Sequence, residues 1–176
     1  MAALQVTVLN RLGLPMTIHQ LIHEKRHRLP RSCYQGMVCA TFTCCIKDRK
    51  PAFLETETVV AVRDCLKRAI GKHAVKNWLY VFMPDHLHFI LEGQAQDSDL
   101  WQAIYSFKTS SGMWFPRHRP DIKWQKDYYD YIHREEGDLD KHIGYLLENP
   151  IRAGLVADWS DYPYSGSLDY DLMEVV

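Results

Sequence analysis

The sequence predicts an α+β domain, in which a ferredoxin-like βαββαβ antiparallel sheet carries helices on one face and a further helix follows the last strand. Segments with the alternation or the aromatic content of strands are separated by segments whose apolar residues recur at helical spacing. The central strand region, 78–92, contains its own tight turn and therefore predicts a hairpin. The order of these segments along the chain indicates the ferredoxin-like class.

Size and composition are those of one globular domain. The 176 residues are 47% hydrophobic and 12% aromatic, enough for one core but cramped for two. We expect residues 1–32 to form a poorly ordered N-terminal arm and residues 33–176 to form the domain. No apolar run is long enough to cross a bilayer and no signal-peptide pattern is found, so we expect a cytoplasmic protein without membrane contact. The five cysteines, odd in number and without CxxC spacing, agree with a reducing compartment.

The first strand and the first helix have clear patterns. An apolar face alternates with a face of Thr, Cys and Met residues over 36–46, which predicts a strand. Thr56 is a candidate N-cap for a helix that runs to about Ile70 and ends at Gly71. Apolar residues recur at helical spacing in that segment, so one face of the helix packs on the sheet.

The hairpin consists of strands 78–83 and 86–92, joined by Pro84 and Asp85. Because side chains alternate along a strand, His86 and His88 share one face, while the intervening leucine points into an apolar layer. The rest of the chain predicts a helix that begins after a cap at Asp97 or Ser98 and an irregular segment over 112–123. The aromatic residues 123–134 predict a strand, or an extended segment along the sheet edge. A last helix begins at 137–138 and ends at Pro150. The sheet face opposite the helices is expected to be open, with both histidines exposed on it.

Two imidazoles at alternate positions of a rigid strand can bind one metal ion. The competing interpretation is that both are ordinary histidines, one bonded to the backbone and the other solvated. Phase arithmetic at about 100° per residue places Tyr145 of the last helix off the buried stripe, with Asn149 beside it. A half-buried packing residue is the ordinary explanation of such a tyrosine.

Three stretches resemble the single-tyrosine transposases that carry a His–hydrophobe–His motif, and in particular the REP-associated tyrosine transposases. The stretches are MPDHLHFIL, the SFK of the second helix, and WQKDYYDYIHREEGDLDKHIGYLLENPIRAGLV. The resemblance implies that Tyr145 is the nucleophile and that His86 and His88 bind a divalent metal, Mg²⁺ or Mn²⁺. Asn149 stands where insertion-sequence relatives carry a glutamine that assists the metal, so it is the expected third ligand.

The resemblance implies a metal-dependent single-stranded DNA endonuclease and strand transferase that acts on palindromic hairpin DNA through a 5′-phosphotyrosine. The net charge of −1 argues against extensive coating of duplex DNA but allows a local basic groove. The candidate DNA contacts are Lys108, Arg117, Arg119 and Lys123. A solvated surface with scattered cations would have the same composition.

Several alternatives stay open at this point. A non-catalytic single-stranded nucleic-acid-binding protein would bind without metal and form no covalent product. A zinc hydrolase would need a third strong ligand and a base, and no HExxH pattern is present. Tyr129 or Tyr131 in the aromatic strand could face the site in place of Tyr145, although packing at the sheet edge is the preferred role for both. The resemblance also leaves a monomer and a homodimer possible.

Overall fold

A five-stranded antiparallel sheet forms the centre of the protein. The structure is a computed structural model and describes residues 29–172. The predicted arm therefore lies outside the described residues except for its last four positions. The strands follow the spatial order β4-β1-β3-β2-β5. Their bounds are β1 Cys39–Cys45, β2 Val75–Met83, β3 His86–Gly93, β4 Tyr129–Ile132 and β5 Ser165–Gly166.

Two long helices and two short ones accompany the sheet, and the βαββαβ order followed by an extra helix is confirmed. The helices are α1 Thr56–Gly71, α2 Leu100–His118, α3 Asp138–Leu147 and α4 Asn149–Arg152. Within residues 29–172, no helix combines the length and the apolar composition needed to cross a membrane.

The main core lies between the sheet and the helices α1 and α2. It contains aromatic side chains from three strands, among them Phe42, Phe82 and Phe89, together with Leu66 of α1 and Phe107 of α2. Most of these residues occupy alternate positions of their strands, as the sequence predicts for one buried face.

The opposite sheet face is covered rather than open, which corrects the expectation from the sequence. Helix α3 packs Ile143, Leu146 and Leu147 against apolar side chains of β2 and β3, including Val81 and Ile90. An apolar helix stripe and an apolar sheet face both lose water in this contact, so the helix lies on the face that carries the histidines.

The helix caps differ from those predicted. Thr56 makes no cap, because its hydroxyl lies 3.2 Å from the hydroxyl of Tyr164 and Glu55 occupies the N-cap position. Helix α2 is capped by Asp99, whose carboxylate accepts from the backbone of Gln102 at 2.9 Å. The Ser98 hydroxyl instead accepts from the backbone amides of Gln94 and Ala95 and donates to the carbonyl of Ala74.

Three element boundaries also differ from those predicted. Helix α2 continues to His118, seven residues into the segment predicted as irregular, and Pro116 is accommodated in its last turn. The aromatic strand is shorter than predicted, since only Tyr129–Ile132 pairs with β1. The three carbonyls just before it, at 125–127, accept hydrogen bonds from Lys108 of α2. The helix predicted to end at Pro150 is α3, and it ends at Leu147. Pro150 lies in the first turn of the next helix, α4, where a backbone N–H would have no partner within the helix and its loss costs nothing.

Candidate active site

Strand β3 holds His86 and His88 near the middle of the sheet. Both share a face with Ile90, which packs under α3, whereas the intervening residues enter the main core, as predicted. The register places His88 between Thr43 of β1 and Val81 of β2. A central strand with neighbours on both sides fixes the direction of each imidazole, so the site is built on a rigid element.

The two imidazoles turn their Nε2 atoms toward each other, at a separation of 2.9 Å. Their other nitrogens have partners of their own. Nδ1 of His86 lies 2.5 Å from a carboxylate oxygen of Asp85, and Nδ1 of His88 lies 2.8 Å from the hydroxyl of Thr43. The outer partners orient both rings and leave the two Nε2 atoms converging on one point.

Burial and charge keep His88 ready to donate a lone pair. Burial lowers the pKa of His88 well below its ordinary value, and the positive charges of His86, Arg152 and Arg49 act in the same direction. The hydrogen bond from His86 lowers the pKa of Asp85, and Arg49 assists at 3.1 Å from the second carboxylate oxygen. A neutral imidazole is the form that binds metal, so His88 is in the required protonation state at neutral pH.

The donor set fits a divalent ion. Cis ligands of an octahedral ion at 2.0–2.1 Å lie about 3 Å apart, and the two Nε2 atoms have that spacing already. The hydrogen bonds at both Nδ1 atoms match the outer-shell pattern of metal-bound histidines. No group of three His, Cys, Asp or Glu side chains suited to a metal occurs within residues 29–172.

Tyr145 lies on α3, which covers the same sheet face. Its side chain is partly buried against the apolar cluster formed by α3, β2 and β3. Burial raises the pKa of the phenol, and the nearby charge of Arg152 opposes that rise. The guanidinium of Arg152 lies 4.2 Å from the centre of the phenol ring, a cation–π distance.

Arg152 also links the nucleophile candidate to Asn149. One of its nitrogens donates to the Tyr145 carbonyl at 2.7 Å and to Oδ1 of Asn149 at 2.8 Å. Another donates to Glu148 at 2.8 Å. Nδ2 of Asn149 is buried and has no hydrogen-bond partner. Oδ1 retains a second lone pair, so its bond to Arg152 leaves it able to bind a cation.

A second histidine pair fastens α3 to the sheet. The Thr41 hydroxyl lies 2.8 Å from Nε2 of His133 and 3.0 Å from Nδ1 of His142, which is one turn before Tyr145. Tyr131 stacks on His142 with ring centres 4.5 Å apart and donates to Asp138 at the start of α3. Burial lowers the pKa of both histidines, to about 4 for His133, so both are neutral at neutral pH.

The competing tyrosines have definite positions. Tyr129 pairs with Thr43 and Tyr131 with Thr41, so both point to the sheet face that carries His88. Tyr131 is engaged with α3, whereas Tyr129 lies two strands from His88, with Thr43 between them. The structure therefore leaves Tyr129 as the rival that an experiment on the nucleophile has to separate from Tyr145.

The predicted DNA contacts follow one another along α2 and the segment after it. Lys108 donates to the carbonyls of residues 125–127 at 2.7–3.1 Å, and these bonds hold the chain before β4 against helix α2. Arg119 lies 3.6 Å from Asp121, while Arg117 and Lys123 are exposed. Their contact with DNA stays a prediction.

The segment that contains Lys123 lies at the Asp85 end of the sheet. The Lys123 carbonyl accepts from the amide of Lys47 at 2.8 Å, and the neighbouring amide of Ile46 donates to the Asp85 carbonyl at 2.9 Å. Arg49 also lies at this end, against the Asp85 carboxylate. The Arg49 cation therefore lies at the turn that leads into His86, and the backbone of Lys123 is close to that end of the sheet.

Three residues at the site were missed by sequence reasoning: Asp85, Thr43 and Arg152. Asp85 is adjacent to His86, and a carboxylate beside a candidate metal-binding histidine is a recognisable signal. Arg152 lies beyond Pro150, where the predicted helix ends, so its contacts with Tyr145 and Asn149 could be found only from the structure. Thr43 could be found only from the strand register, because it is 45 residues from His88.

Comparison with known proteins gives a consistent result. The family model described as "Transposase IS200 like" matches residues 37–146. A provisionally named REP-associated tyrosine transposase of Haemophilus influenzae is 24% identical over 135 residues, covering 70% of this chain and 76% of the relative. A REP-associated tyrosine transposase of Escherichia coli K12 is 26% identical over 129 residues, covering 70% and 73%.

A solved structure has the same fold. It is that of a REP-associated tyrosine transposase bound to a REP hairpin, with a TM-score of 0.68 and 22% identity, and the match covers 80% of this chain and 81% of that one. The segment that matches the family model is more than half of the full chain. This protein therefore belongs to the IS200-like transposases, a family of DNA-processing enzymes, and its relatives include the REP-associated tyrosine transposases.

Proposed function

We propose that this transposase cuts and rejoins single-stranded DNA beside a palindromic hairpin, using a divalent metal and Tyr145 as the nucleophile. The observation that carries the proposal is the convergence of the His86 and His88 Nε2 atoms at 2.9 Å, with both Nδ1 atoms held by other side chains. This spacing is compatible with two neighbouring ligands of one metal ion, which supports the proposal. A hairpin is the proposed substrate because the solved relative is bound to a REP hairpin.

His86, His88 and Asn149 would hold the metal, which is Mg²⁺ or Mn²⁺. When bound, the ion supplies Lewis-acid chemistry that neutralises charge on the scissile phosphate. The mixed nitrogen and oxygen donor set suits Mn²⁺ better than Mg²⁺. Asp85 and Thr43 keep the imidazole rings aligned, so the Nε2 lone pairs stay directed at one point.

Tyr145 performs the covalent step. Its phenolic oxygen gives its proton to solvent and attacks the phosphorus in line, the bond from phosphorus to the 3′ oxygen breaks, and the departing 3′ oxygen takes a proton from solvent. The products are a 5′-phosphotyrosine and a free 3′-hydroxyl. Attack by a 3′-hydroxyl on the phosphotyrosine reverses these bond changes and restores the phenol, so strand transfer needs no ATP.

Arg152 assists the phenol. The ordinary pKa of tyrosine near 10 makes it a weak nucleophile, and burial raises that value further. The guanidinium over the ring opposes the rise and is placed to stabilise the developing phenolate. Its bond to the Asn149 oxygen also ties the nucleophile to the proposed third ligand.

The packing of α3 supports a site completed within one chain. Ile143, Leu146 and Leu147 lie on strands of their own protomer, and Tyr145 packs beside them. A monomer therefore has the proposed ligands and the nucleophile on one sheet face. We propose that the monomer, rather than a homodimer with exchanged helices, is the catalytic unit.

The test is incubation of the purified chain with end-labelled single-stranded hairpin DNA, with and without Mg²⁺ or Mn²⁺. We expect a protein–DNA band that resists denaturation and forms only with metal. The His86→Ala variant should lose the band and keep hairpin binding. Hairpin binding with no covalent band under any metal condition would instead identify a non-catalytic binding protein.

A further inference from the structure

An aromatic groove lies between helix α2 and the chain that leads into β4. It encloses about 230 Å³ and is formed by one stripe of the helix together with two residues of the facing chain. The lining residues are Trp101, Ile104, Tyr105, Lys108, Thr109, Lys126 and Tyr128. The helix positions recur at intervals of three and four, so they present one continuous face.

Two residues that line the groove also hold its walls in place through contacts with the rest of the protein. Lys108 donates to the carbonyls of 125–127 and holds the second wall against the helix. The Tyr128 ring meets Phe42 of the main core edge to face, with centres 5.7 Å apart. Such a groove needs little ordering when a ligand enters, which favours binding.

The aromatic surface of the groove is stacked but open to solvent. Trp101 and Tyr105 are parallel within 5°, with ring centres 5.6 Å apart, and Arg31 covers Trp101 at 4.6 Å. Tyr105 is 59% exposed although it is a large aromatic residue. Arg31 and Trp101 therefore support Tyr105, whose ring offers a flat platform beside the exposed cation Lys126.

The groove lies at the edge of the sheet, beside the chain that enters β4. Side chains alternate along the chain into β4, so Tyr128 points to the helix side while Tyr129 points to the face that carries His88. The neighbouring residue Gln125 donates to the carbonyl of Cys45, which pairs with His86. The chain at 125–129 therefore has one side chain on the groove side and another on the face of the histidines, and its backbone bonds to the residue that pairs with His86.

We infer that the groove binds an unpaired base of the single-stranded DNA that flanks the hairpin, with the base stacked on Tyr105 and its phosphate near Lys126. This deepens the proposed function and rests on it for the identity of the ligand. Stacking on an aromatic side chain suits any base, and a neighbouring cation holds the backbone. The groove therefore positions the flank and leaves the choice of sequence to other contacts.

The test measures the affinity of the full chain for two labelled DNAs, a hairpin with single-stranded flanks and the same hairpin with blunt ends. Tyr105→Ala should weaken binding of the flanked hairpin about 5- to 100-fold, the usual effect of losing one stacked base. It should leave binding of the blunt hairpin unchanged. Tyr105→Phe keeps the ring and should bind the flanked hairpin like the wild type.

Met113→Ala is the matched control, because Met113 is 62% exposed on the same helix and does not line the groove. Equal affinity of wild type and Tyr105→Ala for the flanked DNA would overturn the inference, and so would an equal loss for both DNAs. The covalent-band assay on the same proteins separates the two proposals. A metal-dependent band with no effect of Tyr105→Ala refutes the groove alone, whereas a flank-specific loss without any band refutes the enzyme alone.

Discussion

Replacing Thr43 by valine tests whether the outer contact of His88 prepares a metal site. The change keeps the β-branched shape that suits a strand and removes the hydroxyl that lies 2.8 Å from Nδ1 of His88. Losing an outer-shell partner typically costs 10- to 100-fold in metal affinity, about 1.4–2.7 kcal/mol. Because both side chains are buried, the unsatisfied nitrogen should also cost about 1–3 kcal/mol of folding free energy.

Calorimetric titration with Mn²⁺ gives the affinity, and urea unfolding gives the stability. Thr41→Val is the matched control, since Thr41 lies on the same strand and face but bonds to His133 and His142. It should have a similar cost in stability and leave the Mn²⁺ affinity unchanged. A Thr43→Val protein whose Mn²⁺ affinity stays within twofold of wild type would show that the His88 contact is merely structural.

Three further predictions concern the residues around the site. Arg152→Ala should slow covalent-band formation about 2- to 30-fold, the equivalent of losing a cation–π contact of about 0.5–2 kcal/mol. It should also shift the pH dependence of the rate to higher pH, because the phenol loses a nearby positive charge. An unchanged pH dependence would exclude a role for Arg152 at the phenol. Burial lowers the pKa of His133 to about 4 from 6.5, so the folded state binds fewer protons than the unfolded state and stability falls as the pH drops through that window. The urea midpoint of His133→Gln should therefore fall less steeply between pH 6.5 and 4 than that of wild type, and parallel slopes would contradict this. Gly93→Ala places a methyl group against the carbonyl oxygen of Gly36 and should lower the free energy of unfolding by at least about 1–3 kcal/mol. Gly144→Ala has open space around it on α3 and should leave the free energy of unfolding unchanged or raise it by up to about 1 kcal/mol. Similar unfolding midpoints for the two variants would contradict this packing.

The sequence was most informative where one local pattern decides the structure. Alternation in β1 and β3 assigned each side chain to the correct face, including both histidines. Gly71 was correctly expected to end the first helix, and Gly137 to precede the last. These features depend on neighbours in the chain, so they can be recognised without the fold.

Features set by distant contacts were predicted poorly. Asp97, Ser98 and Asp99 are all residues that cap helices, and Ser98 is removed from the choice by its bond to Ala74, 24 residues away. The covered sheet face could have been foreseen, because Ile90 shares the face of the histidines and an apolar side chain there needs a partner. Helix α3 supplied that partner with its own apolar stripe.

The candidate site divides in the same way. A local motif indicated the two histidines, and helical phase placed Tyr145 and Asn149 together. The contact of Thr43 with His88 depends on the strand register, and the bonds of Lys108 to the chain before β4 depend on loop conformation. Sequence patterns specify neither of these. The contact between Arg152 and the Tyr145 ring likewise required coordinates.

The most direct test of the central claim is to identify the residue that becomes linked to DNA. Trypsin separates the rivals, since residues 142–152 form a peptide with Tyr145 as its single tyrosine and residues 127–134 form another that contains Tyr129. Mass spectrometry of the metal-dependent covalent product, after nuclease digestion of the DNA, should find the nucleotide on the peptide 142–152. A nucleotide on the peptide 127–134, or a covalent product that persists in Tyr145→Phe, would contradict the proposed meeting of the last helix and the histidine pair.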